Sequence, residues 1–234
     1  MEKKKKTKKS RRKKLLYWLL VDLLVVGVVC GLLFWRPSQY NPVVSTAMAG
    51  DDDEVHPYLS HQLAPALYNG AQSQRSFEME LLDKGLTEAI SDEMWPQQAE
   101  GISFYAPAVV FKPGRILLMG TADIEGAGFV VTVELQPEID DGGLININVS
   151  KVKIGAMNIT PLAKMMGQKM YRQRVESMEV DTEDIRTKIA ASLFNAEAFD
   201  PVFQVEDKWV RLKEIEIIDG KVLARLDPAK PPRR

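Results

Sequence analysis

Leu15 to Trp35 reads LLYWLLVDLLVVGVVCGLLFW, 21 residues with a single charge, Asp22, and no proline. As a helix rising 1.5 Å per residue it is about 31 Å long, the hydrocarbon thickness of a bilayer. Residues 15–35 are therefore expected to cross a membrane once, and the rest of the chain takes its place from that. Before the run, residues 1–14 hold ten Lys or Arg, whereas the far flank opens with Arg36 alone. The positive-inside rule keeps the basic arm in the cytoplasm and puts the C-terminal part outside it. The expected localisation is thus the cell membrane, single-pass, with an extracytoplasmic domain. The cations of the arm also offer attraction to anionic lipid headgroups.

The run reads as a retained anchor and not as a cleaved leader. Ala47-Met48-Ala49 has the small-x-small pattern of a cleavage site, but it stands well beyond Trp35, and the apolar run is too long for a secretory core region. Cys30 follows Val28-Val29 deep in the run, which suits an apolar packing residue and not a lipidated one. Asp22 has two readings: a contact to a partner helix, which the Gly27/Gly31 spacing favours, or a carboxylate turned toward the nearby headgroups.

The overall charge of −1 hides an asymmetry, because residues 36–234 carry 30 acidic against 21 basic side chains, a balance of −9. An acidic outer part behind a basic membrane-side arm argues against nucleic acid as a partner. One cysteine allows no intrachain disulfide, so the outer domain depends on its own core.

Residues 36–75, with Pro37, Pro42, Pro57 and the acidic run Asp51 to Glu54, read as a linker containing a short helix over 60–68 that Pro65 weakens. His56 and His61 lie there, and a spacing of five with no cysteine support predicts no metal site. The folded domain is expected over 76–227. Phe77, Met79 and Leu81 alternate as in a strand, and Leu82, Leu86 and Ile90 then recur at helical spacing. Three antiparallel strands follow over 102–111, 115–124 and 128–136, broken at Pro113-Gly114 and Glu125-Gly126. In the next strand Ile145, Ile147 and Val149 share one parity and Val152 and Ile154 the other, which predicts a bulge near Ser150-Lys151. Thr160 as cap and Pro161 in the first turn open the longest helix, with Leu162, Met165, Met166, Met170 and Tyr171 on one stripe. A second helix is expected from an Asp181-Thr182 cap, carrying Ile185, Ile189 and Leu193. Strands over 202–205, 209–218 and 221–226 close the chain, the last two joined by Asp219-Gly220, and residues 228–234 read as a disordered tail.

No nucleophile elbow, phosphate loop, zinc-helix pattern or paired CxxC is present, and both histidines fall in the linker. The expectation is a protein that is not an enzyme and needs no cofactor. What remains is apolar: five of the ten methionines lie between Met157 and Met178, a side chain that adapts to varied apolar surfaces.

The order of elements from Ser76, and the passage Val152-Lys153-Ile154-Gly155-Ala156-Met157-Asn158-Ile159-Thr160-Pro161 leading into a helix, resemble the YpmS-like family of uncharacterised bacterial membrane-anchored proteins. More distantly they are similar to the tubular lipid-binding (TULIP) superfamily. The resemblance implies a curled sheet packed around the helix and the binding of lipid or another apolar ligand. The expected fold is thus α+β, a curled antiparallel sheet wrapped around the long helix, behind one N-terminal transmembrane helix. Phe129, Val131, Leu162, Met165, Met166 and Met170 are the expected ligand-binding residues. The rival expectation is an envelope scaffold that touches a partner protein and holds no small ligand.

Overall fold

The computed structural model describes residues 5–43, 55–92, 95–99, 101–177 and 185–231. Its first element, α1 (Lys5–Leu33), contains one stretch, Lys14–Leu33, long and apolar enough to cross a membrane, with a mean hydropathy of 2.4 and none of it buried in the protein. The helix ends two residues short of Trp35; Phe34, whose N–H still donates to Cys30 O (3.0 Å), packs on the domain, its ring centroid 5.0 Å from that of Phe129.

The domain is α+β, built on two antiparallel sheets. Strands β1 (Phe77–Leu82), β8 (Val202–Val205), β9 (Lys208–Ile218) and β10 (Lys221–Ala229) form a four-stranded sheet in the order β1-β10-β9-β8. Strands β2 (Gln97–Ala99), β3 (Ile102–Lys112), β4 (Arg115–Ile124), β5 (Ala127–Ile139), β6 (Ile145–Ile154) and β7 (Met157–Asn158) form a six-stranded meander in sequence order. The expected bulge is present: Glu134 pairs with Lys151 and Leu135 with Val149, so Ser150 has no cross-strand partner and both apolar parities reach one face. The Asp219-Gly220 hairpin also forms, with Gly220 at φ +80°.

The two sheets meet at their glycine turns. Gly114 N–H donates to Ile217 O (3.0 Å), Gly220 N–H donates to Phe111 O (3.2 Å), and Lys112 pairs with Asp219 at 2.6 Å. Below these turns Val109, Phe111, Ile217 and Val222 form a core that α3 (Asp83–Ser91) covers with Leu86 and Ile90. The buried hydroxyl of Thr87 fastens α3 to β3, accepting from Val109 N (2.9 Å) and donating to Val109 O (3.1 Å).

Two expectations are corrected. Residues 36–75 are not spacer throughout: Tyr40 and Tyr58 are buried, a π-helical turn spans Tyr58–Leu63, and α2 (Ala64–Gln72) packs Leu67 and Ala71 on the four-stranded sheet. Pro65 does not end the helical run: it sits in the first turn of α2, directly after the π-helical turn, where Ala64 N–H donates back to Leu59 O. The larger correction concerns α4 (Thr160–Ser177). Neither sheet is strongly curled and neither wraps around it; α4 lies outside, against β6 and α5 (Ile185–Asn195). The physical reason is in the residues it turns inward, which are small or amphipathic and not the large apolar ones. The expected Asp181-Thr182 cap lies outside the described residues, and β10 takes up the first two residues of the expected tail.

Candidate functional site

The expected ligand residues do not converge. Leu162, Met165, Met166 and Met170 are 51%, 62%, 53% and 57% exposed, on the outward side of α4. Phe129 and Val131 belong to β5, and the ring of Phe129 is occupied by Phe34. Two features take the place of the internal groove: the junction between α1 and the six-stranded sheet, and the outward face of α4.

At the junction, Ala156 N–H donates to Leu32 O at 2.8 Å, supplying a partner to a carbonyl that the end of a helix leaves free. Gly155 N–H donates to Val130 O at 2.8 Å. Gly155 holds φ +56°, and a Cβ there would run into the carbonyl oxygens of Leu32 and Leu33. The turn after β6 thus requires glycine twice, for its backbone sign and for the approach of the helix end. Farther along, Tyr40 is buried against Ala108, Met119 and Val130. Its hydroxyl donates to Ala106 O (2.7 Å), which makes Thr121 Oγ1, at 2.8 Å, the donor of the second bond. Burial raises the Tyr40 pKa, with Thr121 and Arg36 opposing, and the Arg36 guanidinium lies 5.1 Å from the ring centre. The pattern Pro37 to Pro42 hid this tyrosine, although an aromatic residue in so polar a stretch was a signal that it packs elsewhere.

The start of α4 is tied to the same corner. Thr160 does not cap the helix with its hydroxyl; Oγ1 accepts from Val152 N (2.8 Å) and donates to Asn158 Oδ1 (2.5 Å). The inward side carries Ala163, Gly167 and Tyr171. Gly167 lets the Phe194 ring approach so closely that a Cβ would stand 2.8 Å from it, and Tyr171 stacks on Phe194 at 6.0 Å. Burial raises the Tyr171 pKa, and Glu197 adds to the rise. Ser192 anchors α5 beneath, accepting from Ile147 N at 2.7 Å and donating to Asn146 Oδ1 at 3.2 Å.

Among the described residues no three His, Cys, Asp or Glu side chains gather as a metal site requires. His56 pairs with Asp92 at 3.4 Å and accepts from Tyr58 N through Nδ1, a structural role. The chain matches no protein-family model, no curated protein and no solved structure.

Proposed function

We propose that the protein is a non-enzymatic, membrane-anchored binding module, with residues 1–14 in the cytoplasm and the domain outside, that takes a lipid or other long apolar molecule on the outward face of α4. The observation that carries this is the exposed stripe Leu162, Met165, Met166 and Met170. A surface helix ordinarily turns its large apolar residues toward the core, and a contiguous apolar surface left open is the usual mark of an interaction site. Methionine suits such a surface because its unbranched thioether chain repacks around differing partners. The resemblance to the YpmS-like family carries the same implication, apolar ligand binding. The site is open and lateral, in place of the enclosed groove that the sequence suggested.

The test is the full chain purified in mild detergent, wild type beside Met166→Asp. Native mass spectrometry should find a stoichiometric lipid on the wild type and lose it in the variant. The thermal melt should be unchanged, because a carboxylate at a half-exposed position stays hydrated. A wild-type protein that carries no more lipid than the variant would leave the scaffold reading, with a protein on the stripe.

A further inference from the structure

We infer that α4 is an interfacial helix, seated on the anionic leaflet from which the anchor emerges, with its methionine stripe at the acyl boundary. This rests on the membrane-anchored reading above and names the source of the apolar ligand as the bilayer itself. Three independent observations point to it.

The first is the inversion of the helix. At 3.6 residues per turn, Leu162, Met165, Met166, Lys169, Met170 and Gln173 share the outward side, while Ala163, Gly167 and Tyr171 face the protein. Long apolar chains interspersed with cations are the composition of a helix that lies in a headgroup layer, where Lys and Arg extend past the apolar band to the phosphates.

The second is charge. Residues 142–175 contain six basic residues (Lys151, Lys153, Lys164, Lys169, Arg172, Arg174) and no acidic one. The remainder of the outer part then carries 30 acidic against 21 − 6 = 15 basic residues, a balance of −15 beside a segment of +6. Elsewhere on the domain Lys112, Arg115, Arg211, Lys213, Lys221 and Arg225 each hold a carboxylate. Among the described residues Lys151, Lys153, Lys164, Lys169 and Arg172 have no such partner. Cations left unneutralised on and beside α4, in a part of the chain that is otherwise acidic, fit an anionic surface, and anionic lipid supplies one.

The third is position. The apolar helix ends at Leu33, and the bond from Ala156 N to Leu32 O holds the turn after β6 at that level. Thr160 is fastened to Val152, two residues up β6 from Ile154, which is about 7 Å along a strand. The headgroup layer on each side of a bilayer is about 5–8 Å deep. The first turn of α4 therefore starts within about one headgroup depth of the end of the apolar helix, close enough for its stripe to reach the acyl boundary.

The test uses the full chain with Cys30→Ala, carrying an environment-sensitive fluorophore on Met166→Cys or, as control, on Lys84→Cys, whose side chain is 80% exposed on α3. Each is reconstituted in vesicles of phosphatidylcholine alone or mixed with phosphatidylglycerol. In the mixed vesicles the label at 166 should be quenched by lipids brominated on the acyl chain several-fold more than the label at 84, and shielded from aqueous iodide. The difference should shrink in phosphatidylcholine alone and at high salt. Equal iodide quenching at both positions in the mixed vesicles overturns the interfacial seat; equal acyl quenching at 166 with and without phosphatidylglycerol overturns the anionic preference. The binding reading is separately decided by the lipid carried in detergent. A protein that retains lipid through Met166 yet shows a water-exposed label loses only the inference made here, whereas failure of both removes the stripe as a lipid site.

Discussion

Substituting Gly155 by Ala tests whether α1 and the domain are one mechanical unit. The residue holds φ +56°, a conformation that costs an L-residue roughly 1–2 kcal/mol. The added methyl also meets two backbone oxygens at the end of α1, and backbone yields only by moving the helix away. That motion sacrifices the Ala156–Leu32 hydrogen bond, about 0.5–1.5 kcal/mol. Together these weaken docking by roughly 1.5–3.5 kcal/mol, which is centred on about a hundred-fold in the opening equilibrium. Gly114→Ala is the control, because that residue is also at positive φ (+71°) but has nothing within 4 Å of a Cβ. Hydrogen exchange on the full chain in detergent should give an Ala156 amide that exchanges about a hundred-fold faster in Gly155→Ala and at the wild-type rate in Gly114→Ala. An Ala156 amide equally protected in wild type and Gly155→Ala would refute the close approach, and with it the fixed height assigned to α4.

Tyr40→Phe should cost about 1–2 kcal/mol in urea unfolding, since it removes the donor to Ala106 O and the acceptor for Thr121. Its pH dependence has a definite sign. Burial raises the phenol above its ordinary 10.0, so the native state binds the proton more tightly than the unfolded chain, and the contribution is intact below pH 10 and lost as pH climbs past it. The Phe variant should therefore lose less stability than the wild type between neutral and strongly alkaline pH; parallel curves would show that Tyr40 is solvated. Orientation is checked with protease added to intact cells, or to spheroplasts where an outer membrane exists. The domain should be digested while residues 1–14 stay protected, and survival of the domain until the inner membrane is opened would reverse the topology.

Local periodicity made much of the fold legible. Alternation over 77–81 and 102–136 is confined to a few residues in a row, and it marked β1 and β3 to β5; the change of parity at Ser150 marked the bulge in β6. Missed were β2 and β7, which are three and two residues long and leave no period to detect; the short helix expected over 60–68 is present as the π-helical turn and α2, but it runs on to Gln72 and packs on the sheet in place of lying in a spacer. The candidate site was half legible. Composition singled out the Met and Leu stripe of α4, but an apolar stripe reads the same whether it faces a core or a solvent. The inward residues Ala163 and Gly167 carry too little hydrophobic signal to compete with four long apolar side chains.

By itself, then, the sequence determined where apolar length and charge are concentrated: one helix of membrane-spanning length, a basic arm before it and an acidic C-terminal part after it, because these depend only on consecutive residues. Tertiary structure decided what closes on what. The pairing of β1 with β10 joins residues such as Phe77 and Leu226 across nearly the whole domain, and it splits the strands into two sheets instead of one that could curl around a helix. The docking of Leu32, Phe34 and Tyr40 on β3 to β6 likewise joins the apolar helix to residues more than sixty positions away, through single hydrogen bonds and a glycine that admits a backbone. Contacts of that range have no period in the sequence. They are selected only when the whole chain is packed, and here they turn the methionines of α4 outward, beside the end of the helix that would anchor it.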